Sequence, residues 1–495
     1  MTKNASGDRD TAILFQANNK AFLVDIPHSI TLAQGRSAPR ESNILATESR
    51  SGTDKTRKKQ CILSCSPLKE PYPSTEPKKP AARANVLETI PISERRFHSE
   101  LILPLVKDSL EILRAAVSND HWCLVRVVPC EEGSDHSLQD QIPRKRRKGN
   151  DQTPLKPISY DHNPRCNEPP MILSSSSPNE FESLSELNVV KNPSHESAII
   201  KMKNYDSNGV IPSSYEYMIP PESSFVLCTL PLFETGIDRS SSFNYPIPGL
   251  SPHQKFNLIL MDPPWPNRSV RRSGHYQTHH YSEMEVLTEG LRDILRVHSY
   301  CAGDTKQGSY PSETQTEPQI QSEQSMAAIW ITNAEKSRKA AYQALIGAGF
   351  CICEEWVWVK ITTDGQPISA LDGIWRKPYE ILVIGRKDEN KINVPEDCET
   401  LPHQIDDLTP ISEAVTTRRV IAAVPDVHSR KPNLKSIFEQ VFFASDQTQS
   451  YSALEVFARN LTAGWWAAGN EVLRFNAREC WVDPEETDHG NWFLE

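Results

Sequence analysis

The sequence predicts a three-layer α/β domain with a largely parallel sheet over residues 213–480. Three observations carry that prediction: short apolar runs of strand length, helix-length segments with one apolar face, and the alternation of the two along the chain. Folds of this class bind ligands outside the carboxyl ends of their strands, so the residues that follow each run are the candidates for chemistry.

Taken in order, residues 11–34 (TAILFQANNKAFLVDIPHSITLAQ) place two apolar segments around Ala-Asn-Asn-Lys, a hairpin at 1–34 standing outside the main block, with Asn supplying the turn. Residues 35–84, rich in Ser, Thr, Pro and Lys, read as a disordered linker. An accessory region follows at 85–130. There Leu105, Leu110 and Leu113 suggest a helix whose first part Pro104 breaks, and residues 122–128 suggest a strand. The stretch 131–212 reads as a disordered tether. It contains Arg144-Lys145-Arg146-Arg147-Lys148, a basic run that suits nuclear import or phosphate contact, with a solvated charge cluster as the plainer alternative. The import reading places the protein in the nucleus, with the cytoplasm also open.

Within 213–480, residues 225–230 (FVLCTL) and 256–261 (FNLILM) have the composition of buried strands. A helix follows in MEVLTEGLRDILRV, with Leu287, Leu291, Ile294 and Leu295 on one face. Residues 301–325 are polar and read as a surface insertion. AAIWIT (327–332) is the next strand, and 334–346 form a helix whose end Gly347 and Gly349 suit. Trp356, Trp358 and Lys360 alternate along a longer strand; YEILVIG (379–385) and RVIAAV (419–424) add two more. Lys431-Pro432 opens a helix through IFEQVFF, LEVFAR (454–459) and VLRF (472–475) complete the strands, and 481–495 form a tail.

Composition narrows the function classes. Only 38% of the 495 residues are hydrophobic and 38 are proline, so a globular domain must coexist with polar segments. The balance of 54 Lys+Arg against 64 Asp+Glu, a net charge of −10, argues against a basic coat for indiscriminate nucleic-acid binding and leaves room for a local basic site. No apolar run approaches the roughly 20 residues of a bilayer-spanning helix. The first 16 residues lack the apolar core and cleavage site of a secretory signal. Eleven Cys without regular spacing fit reduced thiols of the nucleus or cytosol; Cys351 and Cys353, with no second pair at finger spacing, read as core thiols.

Asp262-Pro263-Pro264-Trp265 leaves the end of the FNLILM strand, where such folds do their chemistry. Two prolines fix φ and remove two donors while keeping both carbonyls as acceptors. An Asp carboxylate beside a Pro carbonyl can accept both hydrogens of an exocyclic amine, draw its nitrogen out of conjugation and aim the lone pair at an electrophile. Trp265 would wall a planar base, a stacking contact worth about 1–3 kcal/mol. The constellation fits an aminopurine or aminopyrimidine; a lone Asp-Pro-Pro would sooner suit a Pro-rich structural turn with a core Trp.

The tetrapeptide resembles the signature of the MT-A type adenine-N6 methyltransferases. Its continuation PNRSVRRSGHY resembles the methyltransferase-like four branch, as do WITNAEK, EEWVWVKIT, RKPYEILVIGR, VPDVHSRKPNLKSIF and LEVFARNLTAGWWAAGNEVLRF in the same order, over about 222–480. The resemblance implies a Rossmann-like methyltransferase fold, circularly permuted so that the catalytic strand precedes the main cofactor strand, and S-adenosyl-L-methionine as cofactor. The chain has no Gly-x-Gly-x-x-Gly loop, which argues against a nicotinamide dehydrogenase.

By matching position, Arg459 and Asn460 would bind the cofactor ribose, with Asn470 and Glu471 helping to hold the nucleoside and Phe457 packing beside them. Lys431 would meet the methionine carboxylate as a point charge, and Asp262 would contact the methionine amino group as well as the target amine. The family segment matching FVLCTL usually carries an acidic residue before an Ile for the cofactor adenine; here Thr229 and Leu230 occupy those places. Asn267, Arg268, Arg271, Arg272 and Tyr276, with His275, His279, His280 and Tyr281, mix phosphate-binding cations with stacking rings in one loop. Arg376, Lys377 and Tyr379 are a second substrate patch by family position. No metal is expected, because H-x-x-x-H-H lacks a placed carboxylate.

The implied reaction is methyl transfer to the N6 amine of an unpaired or flipped adenine, without covalent enzyme intermediate or obvious general base. Orientation would supply most of the effect, about 7–11 kcal/mol. RNA of the small nuclear class is the favoured substrate and DNA adenine the alternative. A reading of another class is a catalytically silent fold that binds nucleic acid or a partner. Loss of the acidic or aromatic end of the tetrapeptide would favour it, and both are intact.

Overall fold

Apolar runs of four to eleven residues become strands here, and where a run is buried on both faces its alternate residues feed two separate cores. In the computed structural model the described residues are 11–35, 60–117, 121–129, 168–205, 212–232, 245–265, 284–300, 325–387, 415, 417–443, 451–482 and 492–494. The import run at 144–148, the 301–324 insertion and the loop holding Asn267, Arg268, Arg271, Arg272 and Tyr276 lie outside them.

The chain opens with β1 (Ile13–Ala17) and β2 (Ala21–Val24), joined antiparallel through Asn18 and Asn19 at φ 50° and 54°, the left-handed pair a tight hairpin turn requires. Asp25 then caps α1 (Ile26–Ala33), its carboxylate accepting the His28 N–H at 2.9 Å. β3 (Cys61–Ile62) precedes α2 (Pro80–Glu88), α3 (Ile92–Arg96), a wide π turn over Phe97–Ile102, α4 (Leu103–Ala116) and β4 (Val127–Pro129). Next come β5 (Met171–Ile172), β6 (Asn179–Phe181), β7 (Val189–Lys191), β8 (Ala198–Tyr205), β9 (Pro212–Ile219), β10 (Ser224–Leu227) and β11 (Leu258–Met261).

After these lie α5 (Met284–His298), β12 (Met326–Ile331), α6 (Glu335–Gly347), β13 (Phe350–Lys360), β14 (Tyr379–Lys387) and β15 (Thr417–Ala423). The described residues end with α7 (Lys435–Phe438), β16 (Ala453–Val456), β17 (Trp466–Gly469), β18 (Trp481–Val482) and β19 (Trp492–Leu494).

Twelve strands form one sheet in the order β1-β2-β15-β13-β14-β12-β11-β16-β17-β10-β7-β5. From β12 through β11, β16 and β17 to β10 every pairing is parallel, so these strands present their carboxyl ends on one edge. β14 runs the other way between β12 and β13, which brings its first residues to that same edge.

Alternation along β11 shows the layering. Ile259 and Met261 join a core with α4, α5 and α6, in which Leu287, Leu291, Ile294 and Leu295 are all buried. Leu258 and Leu260 point the other way, into a core with α1, α7, Trp356 and Trp465. The α/β sandwich expected from the sequence is thus present, with a large central sheet between two helical layers.

Several boundaries differ from the expectations. The hairpin is not outside the main block: β2 pairs in parallel with β15, Val420 facing Ala21. Residues 60–84 are seated against the domain, β3 pairing with β18 and Glu76 accepting backbone N–H groups of Ile374 and Trp375. Residues 168–205 add β7 and β5 to the far edge of the sheet and, with β9, build the small sheet β6-β8-β9. The second half of the expected tether is therefore structured.

Pro104 does not break its helix. The wide turn just before it removes the need for the N–H donor that proline lacks, and the helical run continues to Ala116. Val472, Leu473 and Phe475 are buried without forming a strand; the strand is β17, six residues earlier in WAAG. A short buried run is ambiguous by periodicity alone.

Because α4 lays Val106, Leu110 and Leu113 on the sheet beside Leu23 and Val420, Leu110→Ala should destabilise the fold by about 2–5 kcal/mol in urea denaturation. A loss well under about 1 kcal/mol would mean that this helix is not part of the core.

Candidate active site

Met261 ends β11, and the Asp262 N–H makes one further ladder bond, to the Val456 carbonyl at 3.3 Å, before proline stops the pairing. The turn is then self-bonded: the Trp265 N–H donates to the Pro263 carbonyl at 2.8 Å. Among the described residues the Pro264 carbonyl is left as the uncommitted acceptor of the pair. The Trp265 indole donates its Nε1–H to the Trp330 carbonyl at 2.7 Å and is 7% exposed. It thereby ties the turn to β12, a buried placement like that of the core Trp in the plainer reading.

Charges converge on the Asp262 carboxylate from two loops. Lys431 lies 3.1 Å from Asp262 Oδ2 and 3.0 Å from Glu380 Oε2. Glu380 is the second residue of β14, and its other oxygen meets Lys360 at 2.7 Å. From the opposite side Arg459 approaches Asp262 Oδ2 at 3.6 Å, pairs with Glu471 at 3.1 Å and donates to the Ser429 carbonyl at 3.2 Å. Arg474 takes the other Glu471 oxygen at 3.0 Å.

Lys431 reaches this position because it is not helical. α7 begins only at Lys435, and Lys431 sits in the loop after β15 with its ammonium 5.5 Å from the Trp330 ring.

Burial and charge set the ionisation states. Burial alone would depress the Lys431 ammonium, yet Asp262 and Glu380 outweigh it and raise it above its ordinary value. Burial would lift Glu380, but Lys360 and Lys431 hold it well below the usual carboxylate range. Glu455, on β16 beside β11, is pushed up to about 8 by burial and then by the Asp262 carboxylate.

The cofactor candidates gather at the same edge. Phe457 follows β16 at φ 62°, its N–H donating to the Ala468 carbonyl, and β17 ends in Gly469 at φ 143°. A Cβ on Gly469 would stand 3.3 Å from Phe457 Cα, so the two reversals abut. Beyond them come Asn460 and Glu471, both half-buried, and exposed Asn470. Cys228 donates to the Gly469 carbonyl at 3.2 Å, which sets Thr229, exposed, and Leu230, half-buried, against this turn.

The second substrate patch is divided. Arg376 is exposed, whereas Lys377 is tied to the Gly373 carbonyl at 3.0 Å and lowered by burial. Tyr379 is 1% exposed, with its hydroxyl 2.9 Å from His98 Nδ1, and offers no surface to a polymer. Of this patch Arg376 is the residue that solvent reaches freely.

Sequence reasoning missed Glu380, Lys360 and Glu455. The available signal was a charged residue at the end of an otherwise apolar run, as in YEILVIG and EEWVWVK. Cys351 and Cys353 are half-buried and in no disulfide, and burial raises Cys353 to about 11. Among the described residues no group of three His, Cys, Asp or Glu is placed to hold a metal ion, and no helix is long and apolar enough to cross a membrane.

The MT-A70 family model matches residues 316–471, a span that runs from before β12 through β17 and includes Lys431 and Arg459 but not Asp262. An MT-A70 domain is therefore present. The chain is 34% identical to the N6-methyladenosine RNA methyltransferase MTA1 of Cryphonectria parasitica, over 46% of this chain and 55% of the relative. It is 27% identical to the N(6)-adenine-specific methyltransferase METTL4 of Mus musculus, over 58% of this chain and 50% of that one. A Caenorhabditis elegans protein named DNA N6-methyl methyltransferase is 27% identical over 44% of this chain and 45% of its own. The chain spans about half the length of the curated relatives it matches.

Glu455 yields a signed pH effect. Its carboxyl moves from 4.5 to about 8 on folding, so the folded state holds a proton that the unfolded chain releases between those values. That contribution to stability is complete below about pH 4.5 and is lost as pH rises to about 8. Glu455→Gln should therefore gain stability relative to wild type from pH 5.5 to 8, by at most ~1.4 kcal/mol per pH unit in urea titrations. Parallel curves would overturn the assignment.

Proposed function

We propose that this chain, carrying an MT-A70 domain, is an S-adenosylmethionine-dependent methyltransferase acting on the N6 amine of adenine in RNA. The observation that carries the reading is the Asp262–Lys431 pair at 3.1 Å. One carboxylate and one ammonium side by side, at the carboxyl edge of parallel strands, match the two charges of an amino-acid zwitterion with opposite sign. The donor set fits the rest of the cofactor: Arg459, Asn460, Asn470 and Glu471 offer donors and acceptors to ribose hydroxyls, and Phe457 offers an apolar wall. When bound, the cofactor supplies a methyl group on a sulfonium.

The chain's own work is placement. Lys431 holds the carboxylate of the cofactor's methionine portion and Asp262 its ammonium. Asp262 and the Pro264 carbonyl accept the two hydrogens of the adenine amine and turn its lone pair toward the methyl. Trp265, anchored on Trp330, keeps that turn rigid. The strand order around β11, β16 and β17 supports a circularly permuted Rossmann-like arrangement, since the strand bearing Asp262 comes earlier in the chain than the strand bearing Arg459.

Two relatives bear on the polymer. The MTA1 name specifies RNA, whereas the Caenorhabditis elegans name specifies DNA and keeps DNA adenine as the second reading. Resemblance to the methyltransferase-like four branch supports small nuclear RNA as the narrower substrate class, and the Arg144 to Lys148 run supports action in the nucleus. Arg268, Arg271, Arg272 and exposed Arg376 are the cations proposed to meet phosphates.

With labelled cofactor and matched RNA and DNA oligonucleotides, wild type should label RNA. Asp262→Ala should lose on the order of 10²–10³-fold or more in kcat. Equal transfer by the variant sinks the catalytic assignment, and preferential labelling of DNA replaces RNA as substrate. Lys431→Ala should raise the cofactor KM by about 10- to 100-fold, the loss of one charge-assisted hydrogen bond. An unchanged KM would remove Lys431 from the cofactor site.

A further inference from the structure

We infer that Gln34, at the end of the N-terminal helix α1, is a positioning residue of the cofactor site, holding the turn that carries Arg459 and Asn460. The inference rests on the reading of that turn as cofactor-binding. Leu461, two residues beyond Arg459, is gripped at both ends of its backbone. Its N–H donates to Asn476 Oδ1 and its carbonyl accepts from Gln34 Nε2, each at 2.8 Å. The ring closes through Asn476 Nδ2, which donates to Gln34 Oε1 at 3.0 Å and to the Met218 carbonyl at 2.7 Å.

Gln34 is 1% exposed and Asn476 0%, so water cannot replace either partner. Each amide has one orientation that satisfies all these bonds.

Two further ties make α1 a clamp on both loops of the site. The Ala463 N–H donates to the Ala33 carbonyl at 2.7 Å. On the other side, the Asn433 N–H donates to Ser29 Oγ at 3.0 Å, and Asn433 Nδ2 donates to Thr462 Oγ1 at 2.8 Å. Asn433 is two residues from Lys431. One short helix thus fixes the spacing between the loop that supplies Lys431 and the loop that supplies Arg459.

The placement of α1 is itself determined by β2, which lies in parallel register on β15, the strand that feeds the Lys431 loop. Errors of about 1 Å in such positions are enough to cost 10²-fold in function. Gln34 touches none of the charged side chains itself, so it acts through the backbone.

The test uses the full chain with Gln34→Met, which keeps the volume and removes both hydrogen bonds, beside Leu295→Ala, a buried core position on α5 near the amino end of β11, away from the site. Hydrogen exchange without cofactor should rise at least tenfold at the Leu461 and Ala463 amides in Gln34→Met and stay unchanged there in Leu295→Ala. The dissociation constant and KM for S-adenosylmethionine should rise about tenfold in Gln34→Met, with kcat at saturation within twofold of wild type. Should Gln34→Met fail to fold, Ser29→Ala carries the same test through the Lys431 loop, with an expected threefold rise in the dissociation constant.

A wild type that binds S-adenosylmethionine while Gln34→Met, or in its place Ser29→Ala, binds equally well overturns this inference alone. An equal affinity loss in Leu295→Ala also overturns it, since general destabilisation would then explain the effect. A wild type that binds no S-adenosylmethionine overturns the methyltransferase reading and the cofactor role of Gln34 with it.

Discussion

A line of alternating charges runs along the carboxyl edge of the sheet: Lys360, Glu380, Lys431, Asp262, Arg459, Glu471 and Arg474, each in ion-pair distance of the next. Each carboxylate in that line touches two cations, which is what allows charged groups to stay ionised away from bulk water. The line also ties together the ends of β11, β13 and β14 and the loops after β15, β16 and β17, so the edge is held by electrostatics where the ladder of backbone bonds stops.

Four cations face three carboxylates. Glu455, raised to about 8, adds little negative charge near neutrality, so the edge carries one positive charge in excess. Inserting a zwitterion between Asp262 and Lys431 exchanges one pair for two and leaves that count unchanged.

The turn at Asp262 was legible because Pro-Pro after an apolar run has few structural uses, and its neighbours Lys431 and Arg459 were legible through resemblance. The roles of Glu380 and Gln34 were not. Periodicity reports which residues a strand buries, whereas these two act through partners 51 and 427 positions away, Lys431 and Leu461. The hairpin was read correctly as a hairpin, since Asn-Asn is a local signal. Its membership in the main sheet depends on β15 and has no local signature. Trp265 shows the converse limit: its residue type suggested a stacking wall or a core place, and only the fold supplies the acceptor, the Trp330 carbonyl, that the indole N–H of a buried Trp seeks.

The same long-range pairing bears on how the chain reaches this state. β2 waits for β15, β11 waits for β16, and β10 is complete only when β17 arrives. Strand edges exposed in the interim are templates for wrong pairing, and sheets closed by such distant segments form slowly. A nascent chain halted before Trp466 has neither β17 nor the turn beyond it, so β10 and β16 both keep a bare edge. Synthesis of β17, the last strand of the sheet to be made, is therefore the step at which this protein most needs protection from its neighbours, a vulnerability that proteolysis of ribosome-stalled chains would register as protection appearing only after that point.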